Sequence, residues 1–154
     1  MPTQAQFWDR IAPKYAQKPI ADVTAYEATM ARTSQYLGAT DRVLELGCGT
    51  GSTAVRLAPQ VAQIVGTDIS QEMIRIARGR AETAGVNNLS FNTTHEFDQG
   101  SPAALFDAVL AFNFLHLLED VPATLRTVHA QIKPGGMFIS KSGCLVHSEQ
   151  LLSV

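Results

Sequence analysis

One short stretch collects residue types that could hold a ligand. Val43-Leu44-Glu45-Leu46 reads as a buried strand, and Gly47-Cys48-Gly49-Thr50-Gly51-Ser52 as a glycine-rich turn entering a helix. Three glycines in five positions let the backbone turn sharply and let a ligand lie against it with no Cβ between. Glu45 stands two places before the first glycine, and Asp68 lies 21 residues beyond it, at the end of the next apolar run. An acid at that second place can accept both hydroxyls of a ribose. The bland alternative is a turn residue before Ser70.

The ligand that such a turn would take is decided by charge. A phosphate-cradling loop needs Lys-Ser/Thr after its last glycine, and no lysine occurs between Lys18 and Lys133. The dinucleotide fingerprint G-x-G-x-x-G is also missed, because Thr53 occupies the sixth place. Depending on strand phase, the Glu45 carboxylate faces away from the loop or towards it. Facing it, the carboxylate opposes a pyrophosphate and favours an ammonium group, a pairing worth ~3–4 kcal/mol before desolvation. Otherwise Glu45 is a structural carboxylate holding the turn amides. The three features together are far more specific than any one.

The elements that must carry these residues follow from periodicity. Arg42–Leu46 and Gln63–Thr67 read as strands, the second closed by Asp68; Ser52–Leu57 reads as a helix that Pro59 helps to end. Ser70 can cap a helix from Gln71 to about Ala84, with Met73, Ile74, Ile76 and Ala77 inward, Arg75, Arg78 and Arg80 outward, and Gly85 at its end. Leu89–Thr94, Ala108–Phe112 and Met137–Ser140 complete five strands, with a helix from Pro122 to about Ile132 before Gly135-Gly136. Strands alternating with helices imply an α/β fold, a doubly wound, mainly parallel sheet with helices on both faces. Ahead of it, Val23–Leu37 is helical and closed by Gly38, while residues 2–20 form an arm with Phe7, Trp8 and Ile11 on one side and Pro13 and Pro19 as breaks. The arm is read as lying on the surface, anchored by its aromatics, or as a lid. Residues 1–38 thus form a helical arm and first helix, and residues 39–154 the binding core. Ligands in such sheets bind beyond the carboxyl ends of the strands. That rim gathers Gly47–Gly51, Asp68, Thr94–Phe97, Phe112–His116 and Ser140–Cys144.

Composition narrows the partners. In 154 residues, apolar content is 45% and charged content 17%, with a net charge of −2, which provides no basic field for nucleic acid or an anionic membrane. No run approaches a membrane span, and the opening residues lack a signal pattern. Cys48 and Cys144 fit no metal spacing, and reduced thiols suit a cytoplasmic protein.

Val-Leu-Glu-Leu-Gly-Cys-Gly-Thr-Gly followed by Val-Gly-Thr-Asp-Ile-Ser resembles the first two motifs of class I S-adenosylmethionine-dependent methyltransferases. Phe106–Ala111, Leu115–Leu118 and Ile132–Phe138 are similar to its later motifs, so the resemblance runs from about Phe7 to Ser140. It implies a Rossmann-like methyltransferase fold, S-adenosyl-L-methionine as cofactor with S-adenosyl-L-homocysteine as product, and a small-molecule acceptor. Gly47, Gly49 and Gly51 would bring backbone against the methionine and ribose portions, with Cys48 inside the turn. Glu45 would hold the α-amino end, Asp68 the ribose hydroxyls, and Ile69 the adenine, with Met73 beside it. His95 stands where the family often has an Asp at the adenine edge, so Glu96 or Phe97 would supply that contact. Phe112, Asn113 and Phe114 would lie near the transferred methyl. Trp8 and Tyr15 match an arm that closes over the cofactor, and Tyr15 is counted among the binding residues. Catalytic residues stay unknown: a base role for His116 is secondary to packing. No metal is implied.

The family sheet carries two further strands, an antiparallel pair beside the fifth. Only 14 residues follow Ser140, at most one short helix over Ser148–Val154, so the fold is read as C-terminally incomplete with about five strands. A fragment, a partner chain or a homodimer at the fifth-strand edge would each account for this. Two other functions stay open: a cofactor-binding module without turnover, and a nicotinamide-dependent oxidoreductase.

Overall fold

The computed structural model describes residues 1–99 and 105–143. Five parallel strands form one sheet in the order β3-β2-β1-β4-β5: β1 Arg42–Leu46, β2 Gln63–Asp68, β3 Leu89–Thr93, β4 Phe106–Phe112 and β5 Ile132–Lys141. The central strands are nearly continuous apolar runs because both faces are covered. On one face, Val43, Ile64, Ala108 and Leu110 pack with Met30, Ala54, Leu57, Ile74 and Ala77 from the helices; on the other, Leu44, Val65 and Val109 pack with Val128 and Phe97. The helices are α1 Gln4–Gln17, α2 Val23–Ser34, α3 Ser52–Leu57, α4 Gln71–Thr83, α5 Thr94–Gln99 and α6 Val121–Gln131. Strand order reverses between β1 and β4, which opens a crevice at the carboxyl ends of those two strands.

Several expectations are corrected. Pro13 does not break the arm: α1 runs on to Gln17, opened by a Thr3–Gln6 capping box. The bond forfeited at Pro13 is offset by anchorage on α4. Ala12 is fully buried, and Asp9 Oδ1 accepts from Ser70 Oγ at 2.6 Å and from the Glu72 amide at 3.1 Å. Phe7 and Tyr15 remain exposed, so Ala12 and polar contacts seat the arm more than its aromatics do. Helix α2 stops at Ser34, and the amides of Tyr36 and Leu37 close a turn on Thr33 and Ser34. In α4, Ile76 is only half-buried, and Arg80 turns inward instead of outward. The rim segment after β3 is helical. Its cap is reciprocal: Thr93 Oγ1 accepts from the Glu96 amide, and Glu96 Oε2 accepts from the Thr93 amide.

Helix α6 ends at Gln131 and β5 begins at once, five residues before the expected Met137. The register with β4 slips between Phe106 and Ala108, leaving Lys133–Gly136 as an irregularity within the strand. Asp107 fastens this end of the sheet: Oδ2 accepts from the Arg42 amide at 2.8 Å, and Lys133 Nζ reaches both oxygens at 3.0 and 3.1 Å. The amide and the ammonium together hold its carboxyl below the usual range. Among the described residues, β5 pairs with β4 alone. Cys144 and the helix expected over Ser148–Val154 lie outside the described residues.

Gly66, at the middle of β2, shows how tightly the sheet meets its cover. A Cβ there would stand 2.7 Å from Cδ1 of Phe91 and 3.1 Å from Cβ of Cys48. The ring is buried and has no room to yield. Gly66→Ala is expected to cost about 1–3 kcal/mol, the usual penalty for overpacking; a urea melt at unchanged slope measures it.

Candidate active site

A cleft of about 890 Å³ lies across the carboxyl ends of the strands. Its floor is the glycine turn. The Cys48 amide donates to Thr67 O at 2.9 Å, tying the turn to β2, and the Gly51 amide closes it on Cys48 O at 3.0 Å. Gly47 has φ +63°, and a Cβ there would clash with the ring of Phe114 at its Cδ2. The turn is thus pressed from above by an aromatic residue that follows β4, the strand across the crevice.

Asp68 is aimed by the backbone. Its Oδ2 accepts from the Gly49 amide and its Oδ1 from the Ser70 amide, both at 2.9 Å. Burial raises its pKa, against the pull of those amides, and the Asp9 charge adds a smaller push. Each oxygen keeps a lone pair for a hydroxyl from the cleft.

Glu45 faces the cleft from β1 between Gly66 and Leu110, and its residue is only 3% exposed. Its Oε1 has no hydrogen-bond partner among the described residues. Burial, followed by the Asp68 charge, pushes the carboxyl up to about 8. The reading of Glu45 as a holder of turn amides is therefore not supported: the carboxyl is a buried acceptor with unfilled capacity. Burial favours its protonated form, so an ammonium group arriving here would have to displace that proton. The thiol of Cys48 is held far above its usual range by burial, with the charges of Glu45 and Asp68 adding to it.

Of the residues singled out from sequence, Tyr15, Glu45, Gly47, Cys48, Gly49, Asp68, Ile69, Met73, Phe97, Phe112, Asn113 and Phe114 all line this cleft. Gly51 and Glu96 do not. Gly51 has φ +81° and caps α3, where a Cβ would come within 2.8 Å of Ala77 Cβ and 3.0 Å of Phe91 Cζ; its demand is packing, not ligand approach. Glu96 is spent on the α5 cap and on Arg78 at 3.5 Å. Phe97 alone of the adenine-edge candidates reaches the cleft. Leu117 and Leu118 line it too, whereas His116, in the short 3₁₀ turn Leu115–Leu117, does not. Asn113 adopts φ +53°, and its amide donates to Lys141 O at 2.7 Å, linking the ends of β4 and β5.

Other wall residues carried no sequence signal strong enough to find them. The connector Lys18–Asp22, Tyr26 and Thr29 of α2, and Thr124 and Thr127 of α6 all face the cleft. Lys141 Nζ reaches Thr29 Oγ1 at 2.8 Å across its mouth. Among the described residues no three metal-ligating side chains cluster, and no helix is long and apolar enough to cross a membrane.

The sheet and its switch point define an α/β protein of the doubly wound class. Residues 44–138 match the family model described as a methyltransferase domain. The chain belongs to the class I S-adenosylmethionine-dependent methyltransferase family. It is 37% identical over 99 residues to a ubiquinone biosynthesis O-methyltransferase of Methylocella silvestris, covering 64% of this chain and 38% of that protein. It is 32% identical over 120 residues to the 27-O-demethylrifamycin SV methyltransferase of Amycolatopsis mediterranei, covering 73% and 44%. The structure of DhpI in complex with SAH superposes with TM-score 0.71 at 25% identity, covering 89% of this chain and 67% of that one. The chain spans about two-fifths of the length of these curated relatives.

Proposed function

We propose that this chain binds S-adenosylmethionine at the glycine turn and transfers its methyl group to a small-molecule acceptor. The observation that carries the donor reading is the unpartnered, buried Oε1 of Glu45 facing the same cleft as the oriented carboxylate of Asp68. An ammonium at one end and a ribose diol at the other would satisfy both, and the Arg80 guanidinium at the turn is already engaged by Thr50, Ser52 and Ala16. When bound, the sulfonium of the donor supplies an activated methyl group for in-line displacement. Glu45 gives up its proton to receive the amino group, and Asp68 accepts the ribose hydroxyls. Ile69, 47% exposed beside Asp68, is free to cover the base, with Met73 and Phe97 also lining the cleft. Phe112, Asn113 and Phe114 shape the wall where the methyl would leave. Holding donor and acceptor in line can account for roughly 7–11 kcal/mol of barrier lowering without any acid or base.

The acceptor class rests on two supports. Apolar side chains such as Phe112, Phe114, Leu117 and Leu118 line the cleft beside Tyr26, Thr29, Thr124 and Thr127, and the net charge of −2 supplies no overall attraction for nucleic acid. The relatives named above act in ubiquinone biosynthesis and on a rifamycin. Incubating the chain with methyl-labelled donor and a panel of phenols, quinols and amines is expected to label at least one of them. Donor binding with no labelled product across the panel would favour a binding module instead. A tenfold preference for NAD over S-adenosylhomocysteine would revive the oxidoreductase reading.

A further inference from the structure

Arg80 was expected to point to solvent, and its guanidinium does the opposite. One nitrogen, Nη1, donates to Thr50 Oγ1 at 2.7 Å and to Ser52 Oγ at 2.5 Å; Nη2 donates to Ala16 O at 2.8 Å. Thr50 is a buried member of the glycine turn, and Ser52 is the first residue of α3. The Ala16 carbonyl belongs to the last turn of α1, where helix carbonyls lack intrahelical donors and a cation is favoured by the helix dipole. A single side chain on α4 therefore joins the arm to the turn. The planar fork suits this task, because its donors leave in fixed, diverging directions.

The two groups it joins both line the cleft. Trp8, Tyr15 and Ala16 line the arm's side, Gly47, Gly49 and Thr50 the floor. Trp8 and Tyr15 meet edge to face at 6.4 Å, so the arm presents a stiffened aromatic wall. Its amino-terminal half is held independently, through Asp9 on Ser70 and Glu72. Its carboxyl-terminal half is seated by buried Ala12 and, at the last turn before the connector Lys18–Asp22, by Arg80 on the Ala16 carbonyl.

We propose that Arg80 is a positioning residue that couples the seating of α1 to the shape of the glycine turn, so that a donor on the turn and a closed arm stabilise each other. This rests on the reading that the donor occupies the turn. Linkage makes the effect reciprocal: whatever the seated arm adds to donor affinity, the donor adds to arm seating.

Hydrogen exchange of residues 4–22, with and without S-adenosylhomocysteine, reads the coupling directly. In the wild-type chain the ligand is expected to slow exchange there by about tenfold, within the ordinary range of coupling energies. Arg80→Ala should reduce that protection below about twofold and weaken binding about tenfold, while exchange in the strands stays as in the wild type. Arg80→Lys should behave the same way, since one ammonium cannot span the turn and Ala16 together. If Arg80→Ala does not fold, Thr50→Val with Ser52→Ala removes the turn-side acceptors and is expected to uncouple the arm equally. Full ligand protection of the arm in these variants, or a lowered melting temperature with unchanged affinity and protection, would overturn the proposal. Absence of binding by the wild-type chain would sink the donor reading itself, and this proposal with it.

Discussion

Asp68→Ala is expected to weaken S-adenosylhomocysteine binding by about 100-fold or more. Two hydrogen bonds from ribose hydroxyls to a carboxylate contribute about 1.5–3 kcal/mol each, and ten times in affinity corresponds to about 1.4 kcal/mol. The variant also strips the Gly49 and Ser70 amides of their acceptor, which loosens the turn before any ligand arrives. Asp68→Asn separates these contributions. It keeps one carbonyl oxygen and replaces the other with a donor that clashes with an amide, so an intermediate loss is expected. Calorimetric titration with S-adenosylhomocysteine measures all three proteins; wild-type affinity in Asp68→Ala would remove the ribose from this end of the cleft.

The second large effect concerns pH. The Glu45 carboxyl is raised to about 8 in the folded chain from an ordinary value near 4.5. A folded state that holds the extra proton is stabilised below the ordinary value and loses that stability as pH rises through the raised one. Between the two values the ligand-free protein should lose about 1.4 kcal/mol per pH unit. Asp68, shifted the same way, adds a smaller share of the same sign. Thermal melts are expected to fall from pH 5 to about 8 and level off above it, and Glu45→Gln should flatten most of the decline. Ligand binding carries the opposite sign. An ammonium at Oε1 drives the proton off, so S-adenosylhomocysteine affinity should rise with pH, by up to tenfold per unit below about 8. Titration in buffers of different ionisation enthalpy should show about one proton released on binding at pH 7, and none in Glu45→Gln. A flat affinity profile would place the amino group elsewhere.

Much of this arrangement could be read from residue order. Arg42–Leu46 and Ser52–Leu57 have the bounds expected from their patterns, because a buried parallel strand and a glycine-closed helix start leave strong local signals. The acids at Glu45 and Asp68 were also visible, being charges where a parallel sheet tolerates few. What stayed hidden depends on tertiary surroundings. Strand phase left open whether Glu45 faces the cleft, and no pattern announces that its carboxyl is left without a partner. Helical period sets Arg80 three residues after Ala77 and seven after Met73, at the edge of the buried face of α4; its charge argues for solvent, and only the tertiary surroundings show the side chain reaching to the turn and to a helix contributed from elsewhere. The register slip that starts β5 at Ile132 belongs to the pairing with β4 and is invisible in either segment alone. The helix Thr94–Gln99 is different, for Thr93 and Glu96 form a capping box at the usual spacing, which is a local signal in the sequence.

The surroundings of Cys48 have a consequence for how the turn can be watched. Its sulfur lies in the floor of the cleft, 8% exposed, with two acids nearby and its thiolate strongly disfavoured. Electrophiles and oxidants act on thiolates, so the folded turn shields this sulfur chemically as well as sterically. Reaction at Cys48 must then wait for the loop to lift away from Glu45 and Asp68. Its modification rate is a clock for those openings, not a measure of nucleophilicity, and it is wound by the same two carboxyl groups proposed to receive the ligand.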